Sequence, residues 1–261
     1  MVNMNTLKEI YAYREMIFSL VRRDLQGRYK GSVLGFLWTF LNPLLQLGVY
    51  TLVFSVIMRN GIEDFYLFLF VALVPWIFFS TSVAGGSSCI WAQQEMVKKI
   101  YFPREVLPIS YVTSQFVNML LSFLVIFAVL IVTGKGINII AILYLPLIMI
   151  VEYLLALSAA LLSSSITVYL RDVEYLLGIV TMAWQFLTPV MYSVEQVPEK
   201  LRVFFMLNPM TPVIIAYRDI LYYKRVPEMG TLLSAVIFGL IMLFIGCLTF
   251  SKLKRHFAEE L

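Results

Sequence analysis

Charged residues are scarce in this sequence: they make up 14% of its 261 residues, whereas apolar residues make up 61%. A soluble domain of this length needs far more charge to cover its surface. Histidine is scarcer still, because His256 is the single example. No set of Cys, His and carboxylate residues has the spacing of metal ligands. The sequence therefore argues against a soluble catalytic domain and predicts no metal site.

Two further motifs of enzyme chemistry are missing. There is no Gly-rich loop ending in Gly-Lys-Ser/Thr, in which backbone amides cradle ATP phosphates, and no Ser, His and Asp arrangement for nucleophilic catalysis. The two cysteines, Cys89 and Cys247, lie far apart in apolar stretches and are interpreted as small buried residues, not a disulfide pair. We therefore predict that the chain is not an enzyme and holds no cofactor of its own.

Long uncharged stretches dominate the chain instead. About 20 apolar residues let a helix cross the hydrocarbon core of a bilayer, and lipid-facing backbone must be helical to satisfy its hydrogen bonds. Six stretches qualify: 32–58, 65–94, 106–134, 136–170, 175–194 and 229–251. The fourth contains Glu152, which is either a functional intramembrane carboxylate or a group that is neutral or hydrogen-bonded between helices. The predicted fold class is an all-α membrane protein with six transmembrane helices.

The placement of basic residues predicts the orientation of these helices. With the N-terminus inside, thirteen Lys and Arg residues fall on the inner side, against Arg59 and Lys135 in the short loops outside; the other five lie in 195–228. Short inner loops are enriched in Lys and Arg. We therefore predict a multi-pass protein of the cytoplasmic (inner or plasma) membrane with both termini in the cytoplasm. The net charge of +4 then reflects topology and contact with anionic lipids, not nucleic-acid binding.

The segments outside the spans complete the predicted organisation. Residues 1–31 contain an amphipathic pattern typical of a cytoplasmic helix lying in the membrane interface, which acts as a plain anchor or also touches a partner. Residues 32–252 form the transmembrane domain, and 253–261 a cytoplasmic tail. Within 195–228, two prolines break an apolar run too short to span, which predicts an external re-entrant helix pair between the fifth and sixth spans.

Four stretches of the chain resemble a known family. They are LVRRDLQGRYKGSVLGFLWTFLNPL at 20–44, MVKKIYFPREVLPIS at 96–110, YLRDVEYLL at 169–177 and LNPMTPVIIAYRDILYY at 207–223. In this order, they resemble permease subunits of type 2 ATP-binding-cassette exporters, in the branch that moves O-antigen, capsule and teichoic-acid polysaccharides. One departure is Leu187-Thr188-Pro189, where a Ser before the proline is expected.

The resemblance implies partners that composition does not reveal. It implies a homodimer of this permease, driven by two copies of a separate ATPase chain that binds ATP and Mg. It also implies a lipid-linked glycan substrate, passed from the inner to the outer leaflet. Two alternatives stay open: export of a small hydrophobic drug or a lipid by the same family, and a membrane enzyme acting on lipid-linked sugars.

Two cytoplasmic loops carry candidate functional residues. Segment 95–105 mixes charges with exposed aromatics, as in a surface that docks on another protein, although a solvated loop has the same composition. We expect it to sit in a cleft of the ATPase through these residues: Glu95, Lys98, Lys99, Tyr101, Phe102 and Arg104. Between the fourth and fifth spans, Arg171 is predicted to meet the pyrophosphate of the incoming substrate, beside Asp172. The alternative is a plain helix boundary stabilised by the helix dipole.

Two polar and aromatic stripes predict the path of the substrate. Amides and hydroxyls in a membrane helix avoid lipid, and sugars offer both hydroxyls and apolar ring faces. The first stripe is Trp38, Asn42, Gln46, Tyr50 and Phe54; the second is Thr181, Trp184, Gln185, Thr188 and Tyr192. The resemblance places their two helices at the central channel of a dimer. We therefore predict that the stripes line a glycan conduit, whereas the alternative is that they hydrogen-bond neighbouring helices.

Overall fold

The computed structural model describes residues 4–27, 30–59 and 61–261, and within them every regular element is helical. Part of the predicted N-terminal segment, 1–3 and 28–29, therefore lies outside the described residues. The α-helices in chain order are α1 Met4–Ala12, α2 Arg14–Gly27, α3 Trp38–Thr51, α4 Phe65–Ser87, α5 Gln94–Lys99, α6 Val106–Val132, α7 Ile139–Ile142, α8 Leu145–Thr167, α9 Asp172–Leu187, α10 Glu199–Met206, α11 Met210–Leu221, α12 Met229–Leu253 and α13 Phe257–Glu260. The predicted all-helical fold class is confirmed.

Five helical segments of the described chain are long and apolar enough to cross a membrane: Gly35–Ile57, Phe65–Ser87, Val106–Val132, Ile139–Thr167 and Met229–His256. They correspond to five of the six predicted spans. The remaining one, 175–194, is helical only to Leu187, so that α9 has 16 residues. Thr188 is extended because it precedes Pro189, whose ring disfavours helical backbone in the residue before it.

Helix α4 forms the centre of the bundle. It packs against α3, α6, α8, α9 and α11, and most of its residues are buried. It is apolar on all sides, which is the pattern of a helix surrounded by other helices. The outer helices bury only part of their surface: α3 packs through one narrow face and exposes most of the rest.

Small residues set the closest helix contacts. Helix α12 packs along α8, and a Cβ placed on Gly246 would lie 2.6 Å from the Ser158 carbonyl oxygen. A Cβ on Gly86 of α4 would lie 2.9 Å from the Ala160 side chain of α8. Close approach at small residues is how membrane helices gain packing energy without a hydrophobic driving force. Helix α8 is thus clamped between α4 and α12.

The end of the bundle that carries α5 is closed by helices from both ends of the chain. Helices α1 and α2 replace the single predicted interfacial helix, and α2 packs along α6. At the C-terminal end of the chain, the predicted tail, 253–261, continues from α12 and then forms α13. Phe257 is fully buried, with its ring centre 5.6 Å from that of Phe250, and Lys254 Nζ lies 2.6 Å from Glu105 Oε1. The tail is therefore fixed to the loop between α5 and α6.

Segment 195–228, for which an external re-entrant helix pair is predicted, contains two short helices, α10 and α11. Helix α11 is almost completely buried against α4, α8 and α12, whereas α10 exposes apolar residues such as Val203 and Phe204. Asn208 lies between the two helices, and its side chain bonds both to the start of α11 and to the end of α9. The pair is thus anchored to the bundle through α11.

Candidate functional site

Segment 95–105, the predicted coupling segment to the ATPase, forms most of α5 and the loop that follows it. Glu95 Oε2 and Lys99 Nζ lie 2.7 Å apart at i, i+4 spacing, and both side chains are exposed. Their hydrogen bond lowers the pKa of Glu95 and raises that of Lys99. Lys98 is also exposed. Exposed ion pairs of this kind stabilise a helix only slightly, so these charges are available to a partner.

Phe102 does not lie where it was predicted. Its ring is only 1% exposed and belongs to a core cluster of this chain that also contains Val97, Phe250 and Phe257. The expectation that Phe102 fills a pocket of the ATPase is therefore wrong. The neighbouring apolar side chains are the exposed ones, since Ile100 is 56% and Tyr101 76% exposed.

Arg104 serves this chain rather than a partner's acidic groups. Its Nη1 donates to the carbonyl oxygen of Phe102 at 2.7 Å, and its Nη2 to that of Val97 at 3.4 Å. These bonds fold the loop back on α5 and hold Phe102 inward. Tyr101 is held from the other side, since its hydroxyl donates to Glu9 at 3.3 Å and its carbonyl accepts from Tyr13 at 3.2 Å. The coupling segment and α1 thus form one continuous surface.

Arg171 and Asp172 lie at the start of α9, close to the coupling segment. The Arg171 guanidinium carbon lies 3.4 Å from the centre of the Trp91 ring, and Trp91 Nε1 donates to the Thr167 carbonyl at 3.3 Å. Asp172 is in the first turn of α9, where the helix dipole favours an anion. A cation–π contact therefore fixes Arg171 on the segment that leads into α5. Its role towards a pyrophosphate stays a prediction.

The first predicted stripe divides into two parts. Asn42 and Gln46 are exposed, whereas Trp38 is half-buried and Tyr50 and Phe54 pack against the core. At Phe54 the backbone explains the change, because Leu52–Ile57 is a π-helix, whose wider turn alters the facing of the residues in it; Tyr50 lies before it, in α3. The α-helical spacing used for the prediction therefore fails at Phe54.

The second predicted stripe points into the bundle. Thr181 and Thr188 are buried, and their hydroxyls donate to carbonyls of their own helix at 2.7 and 2.9 Å. The expectation that these two threonines line an open channel is wrong for this chain, and Gln185 is half-buried beside them. Trp184 Nε1 donates to Asn208 Oδ1 at 3.0 Å, which is the interhelical bonding that was the alternative.

Tyr192 also takes part in local structure, since its hydroxyl donates to the Phe186 carbonyl at 2.6 Å. The open face of α9 is instead apolar. The side chains that share it are exposed and large: Tyr175, Leu176, Ile179, Met182, Phe186 and Leu187. Such a face suits lipid or another membrane helix. Helix α9 therefore offers apolar surface on the side away from α4.

Arg218 is a functional candidate that the sequence analysis missed. It is 3% exposed, and its Nη2 and Nη1 donate to the carbonyls of Val190 at 2.6 Å and Tyr192 at 3.0 Å. Its guanidinium carbon lies 3.6 Å from the centre of the Phe68 ring. Arg218 therefore fixes the segment that joins α9 to α10. The signal was an Arg-Asp pair directly after the uncharged run 203–217.

Glu152 is hydrogen-bonded between helices, which was one of its two readings. Its Oε2 accepts from the Tyr217 hydroxyl at 2.6 Å, and both side chains are buried. Tyr217 packs against Phe123, with ring centres 5.5 Å apart. This bond joins α8 to α11 and holds α11 at a fixed depth in the bundle.

The comparison with known proteins decides the family. The family model described as ABC-2 type transporter matches residues 15–222. The chain belongs to the ABC-2 type transporter family. The matched range begins in α2 and ends just after α11, so it covers the coupling segment, Arg171 and Arg218. The family assignment implies a partner ATPase of the ATP-binding-cassette type.

Similar members of the ABC-2 family have names that describe polysaccharide export. An O-antigen export system permease protein RfbA of Myxococcus xanthus is 35% identical over 98% of both chains. A protein of the same name from Klebsiella pneumoniae is 31% identical over 95% of both chains. The polysialic acid transport protein KpsM of Escherichia coli is 23% identical over 87% of this chain and 89% of its own length.

Proposed function

We propose that this ABC-2 family member is the transmembrane permease subunit of an ATP-driven exporter of a lipid-linked cell-surface polysaccharide. The observation that carries the proposal is the similarity to an O-antigen export permease over 98% of both chains. A similarity to the polysialic acid transport protein KpsM supports the same substrate class. ATP hydrolysis takes place on a separate ATPase chain with bound Mg. Export of a drug or a lipid is the second candidate, which no comparison favours.

The proposal includes six spans with both termini in the cytoplasm. Helix α9 is the fifth span: its 16 residues cover about 24 Å at 1.5 Å per residue, and the non-helical turn from Thr188 to Met191 continues the crossing. That segment is buried, and Arg218 satisfies its Val190 carbonyl. Irregular backbone at membrane depth is tolerated where protein buries it. Helices α10 and α11 then form the external re-entrant pair.

The working unit in this proposal is a homodimer with two ATPase copies. The open apolar face of α9 supports a second membrane helix as neighbour, and the exposed face of α3 carries Asn42 and Gln46. Amides without a lipid-compatible partner belong in a wet cavity. We therefore assign these two residues, and not Thr181 or Thr188, to the conduit between the protomers.

Cysteine labelling tests the conduit and its cargo together. In a Cys89→Ala, Cys247→Ala background, Gln46→Cys is expected to react with a water-soluble thiol reagent while the purified transporter hydrolyses ATP. Adding lipid-linked glycan is expected to lower this reaction several-fold, because the polymer fills the path. Thr188→Cys is expected to stay unlabelled because the side chain is buried.

Leu44→Cys provides the matched control on the same helix, since Leu44 points away from the Asn42 side and is expected to face lipid. Equal labelling at positions 44 and 46 would show that α3 has no water-filled face. Labelling of Gln46→Cys that glycan leaves unchanged during turnover would contradict the polysaccharide conduit. Strong labelling of Thr188→Cys would contradict the assignment of α9.

A further inference from the structure

A polar cavity lies beside the first stripe, in the halves of α3, α4 and α6 nearest the coupling segment. Its volume is about 160 Å³. The residues that line it and carry the argument are two aromatics, three amides and one hydroxyl: Trp38, Phe78, Asn42, Gln115, Asn118 and Ser122. None of the described residues that line it is charged. Only Trp38 and Asn42 among the six were expected to face a substrate.

Burying a polar side chain costs free energy unless the side chain is hydrogen-bonded to the protein or to a ligand. Gln115 and Ser122 are 5% and 6% exposed, inside a helix that is long and apolar enough to span a membrane, and the Ser122 hydroxyl donates to the Asn118 carbonyl oxygen at 3.0 Å. Asn118 lines the cavity, and its buried Oδ1 accepts no hydrogen bond from any described residue. A buried acceptor that stays unpaired costs about 1–3 kcal/mol. A ligand with hydroxyl donors in this cavity would remove that cost.

The chemistry of the lining defines the ligand class. Amides both donate and accept hydrogen bonds, and the rings of Trp38 and Phe78 offer flat apolar faces. A sugar ring has hydroxyls around its edge and apolar C–H faces, so it matches both kinds of group. The absence of Lys and Arg among the described lining residues disfavours a phosphate. The cavity is smaller than the roughly 300–1,000 Å³ of pockets for drug-sized ligands, which suits one ring.

We infer that this cavity binds a single neutral sugar ring of the lipid-linked substrate before it enters the conduit. The inference rests on the proposed function and adds a site to it. Asn118 is the specificity-determining residue: its side chain lines the cavity and its oxygen has no partner among the described residues, so rotation about the Cβ–Cγ bond would bring the amide to a ring hydroxyl. Trp38 and Asn42 connect the cavity to the exposed polar face of α3.

Photocrosslinking maps this site directly. The probe is a polyprenyl diphosphate that carries one N-acetylglucosamine with a diazirine on its acetyl group, and the comparison probe carries the diazirine on the diphosphate and has no sugar. With the full permease–ATPase complex, the sugar probe is expected to label 38–43 and 115–122. Asn118→Leu is expected to lower that labelling about tenfold, the effect of losing one hydrogen bond in a dry site.

Thr113→Val is the matched control, because Thr113 lies on α6 but bonds Tyr153 at 2.8 Å, away from the cavity. It is expected to leave labelling unchanged, and Asn118→Ala repeats the test in case the leucine misfolds. Two results would overturn the cavity as a sugar site while leaving the proposed function standing, provided that the complex still exports glycan. One is sugar-dependent labelling only outside 38–43 and 115–122, and the other is equal labelling by both probes. A wild-type complex that neither exports glycan nor is labelled overturns both.

Discussion

Replacing Arg218 with methionine is expected to destabilise the protein by about 3 kcal/mol or more and to abolish export. The guanidinium is buried and donates to the carbonyls of Val190 and Tyr192. Methionine fills a similar volume but donates nothing, so these carbonyls stay unpaired in a dry environment. Each bond to a charged donor contributes about 1.5–3 kcal/mol. Thermal unfolding in detergent measures the loss, and surface glycan measures the export.

Two further substitutions make this test specific. Lys200→Met removes an exposed cation from the neighbouring helix α10 and is expected to leave the melting temperature unchanged. Arg218→Lys keeps the charge but lacks the planar fork that reaches two carbonyls at once, so an intermediate loss is expected. A fully stable Arg218→Met protein with normal export would show that the segment from α9 to α10 needs no such anchor.

Tyr101→Ala is expected to weaken binding of the ATPase by about 30-fold. The side chain is 76% exposed in this chain, next to exposed Ile100 and Lys98, on the surface that α5 shares with α1. A desolvated aromatic anchor at an interface typically contributes about 2 kcal/mol or more, which corresponds to roughly this change in affinity. Co-purification with the ATPase at graded concentrations measures it.

Tyr175→Ala is the matched control, because Tyr175 is the same residue type and also 76% exposed, but lies on α9. It is expected to leave ATPase binding unchanged. Equal binding by the Tyr101→Ala and wild-type permeases would refute docking through this segment. Phe102→Ala is unsuitable as a test, since Phe102 supports this chain's own core and its truncation is expected to cost about 3–5 kcal/mol of stability.

The spans could be predicted because the bilayer imposes a simple requirement. Length and hydropathy alone identify helices such as Phe65–Ser87 and Val106–Val132. In lipid, a helix satisfies the hydrogen bonds of its own backbone, so a spanning segment must be a long apolar helix. The end of α9 was also accessible from the sequence, because Pro189 disfavours helix at Thr188. The prediction of a span up to residue 194 was based on composition and did not take this proline into account.

The site residues were harder to predict because spacing identifies a helix face but not its neighbour. Thr181 and Thr188 do share a face, yet α9 packs against α4 and α8 and both side chains are buried, so that face does not line a channel. Phe102 was mispredicted for the same reason. An aromatic side chain suits a partner's pocket as well as the protein's own core, and only the fold shows which of the two it occupies. The amino-acid composition of 52–57 does not distinguish a π-helix from an α-helix.

The residues that were missed had a common signal. Gln115, Asn118 and Arg218 are strongly polar residues inside apolar segments, and such residues in membrane proteins mark functional or structural sites. Among the predicted functional residues within spans, only Glu152 and the polar residues of the first and fifth spans follow from this rule. Gln115 and Asn118 are spaced i, i+3, which places them on one face of α6, a pattern from which a polar site in the third span could have been predicted.

Surface glycan in a strain that lacks this permease tests the central claim most directly. Cells without the gene are expected to lose the polysaccharide from their surface and to accumulate it on its lipid carrier inside. Expression of the wild-type chain is expected to restore it, and expression of Arg218→Met is not. Unchanged surface polysaccharide in the deletion strain, with no lipid-linked glycan accumulating inside, would contradict the account.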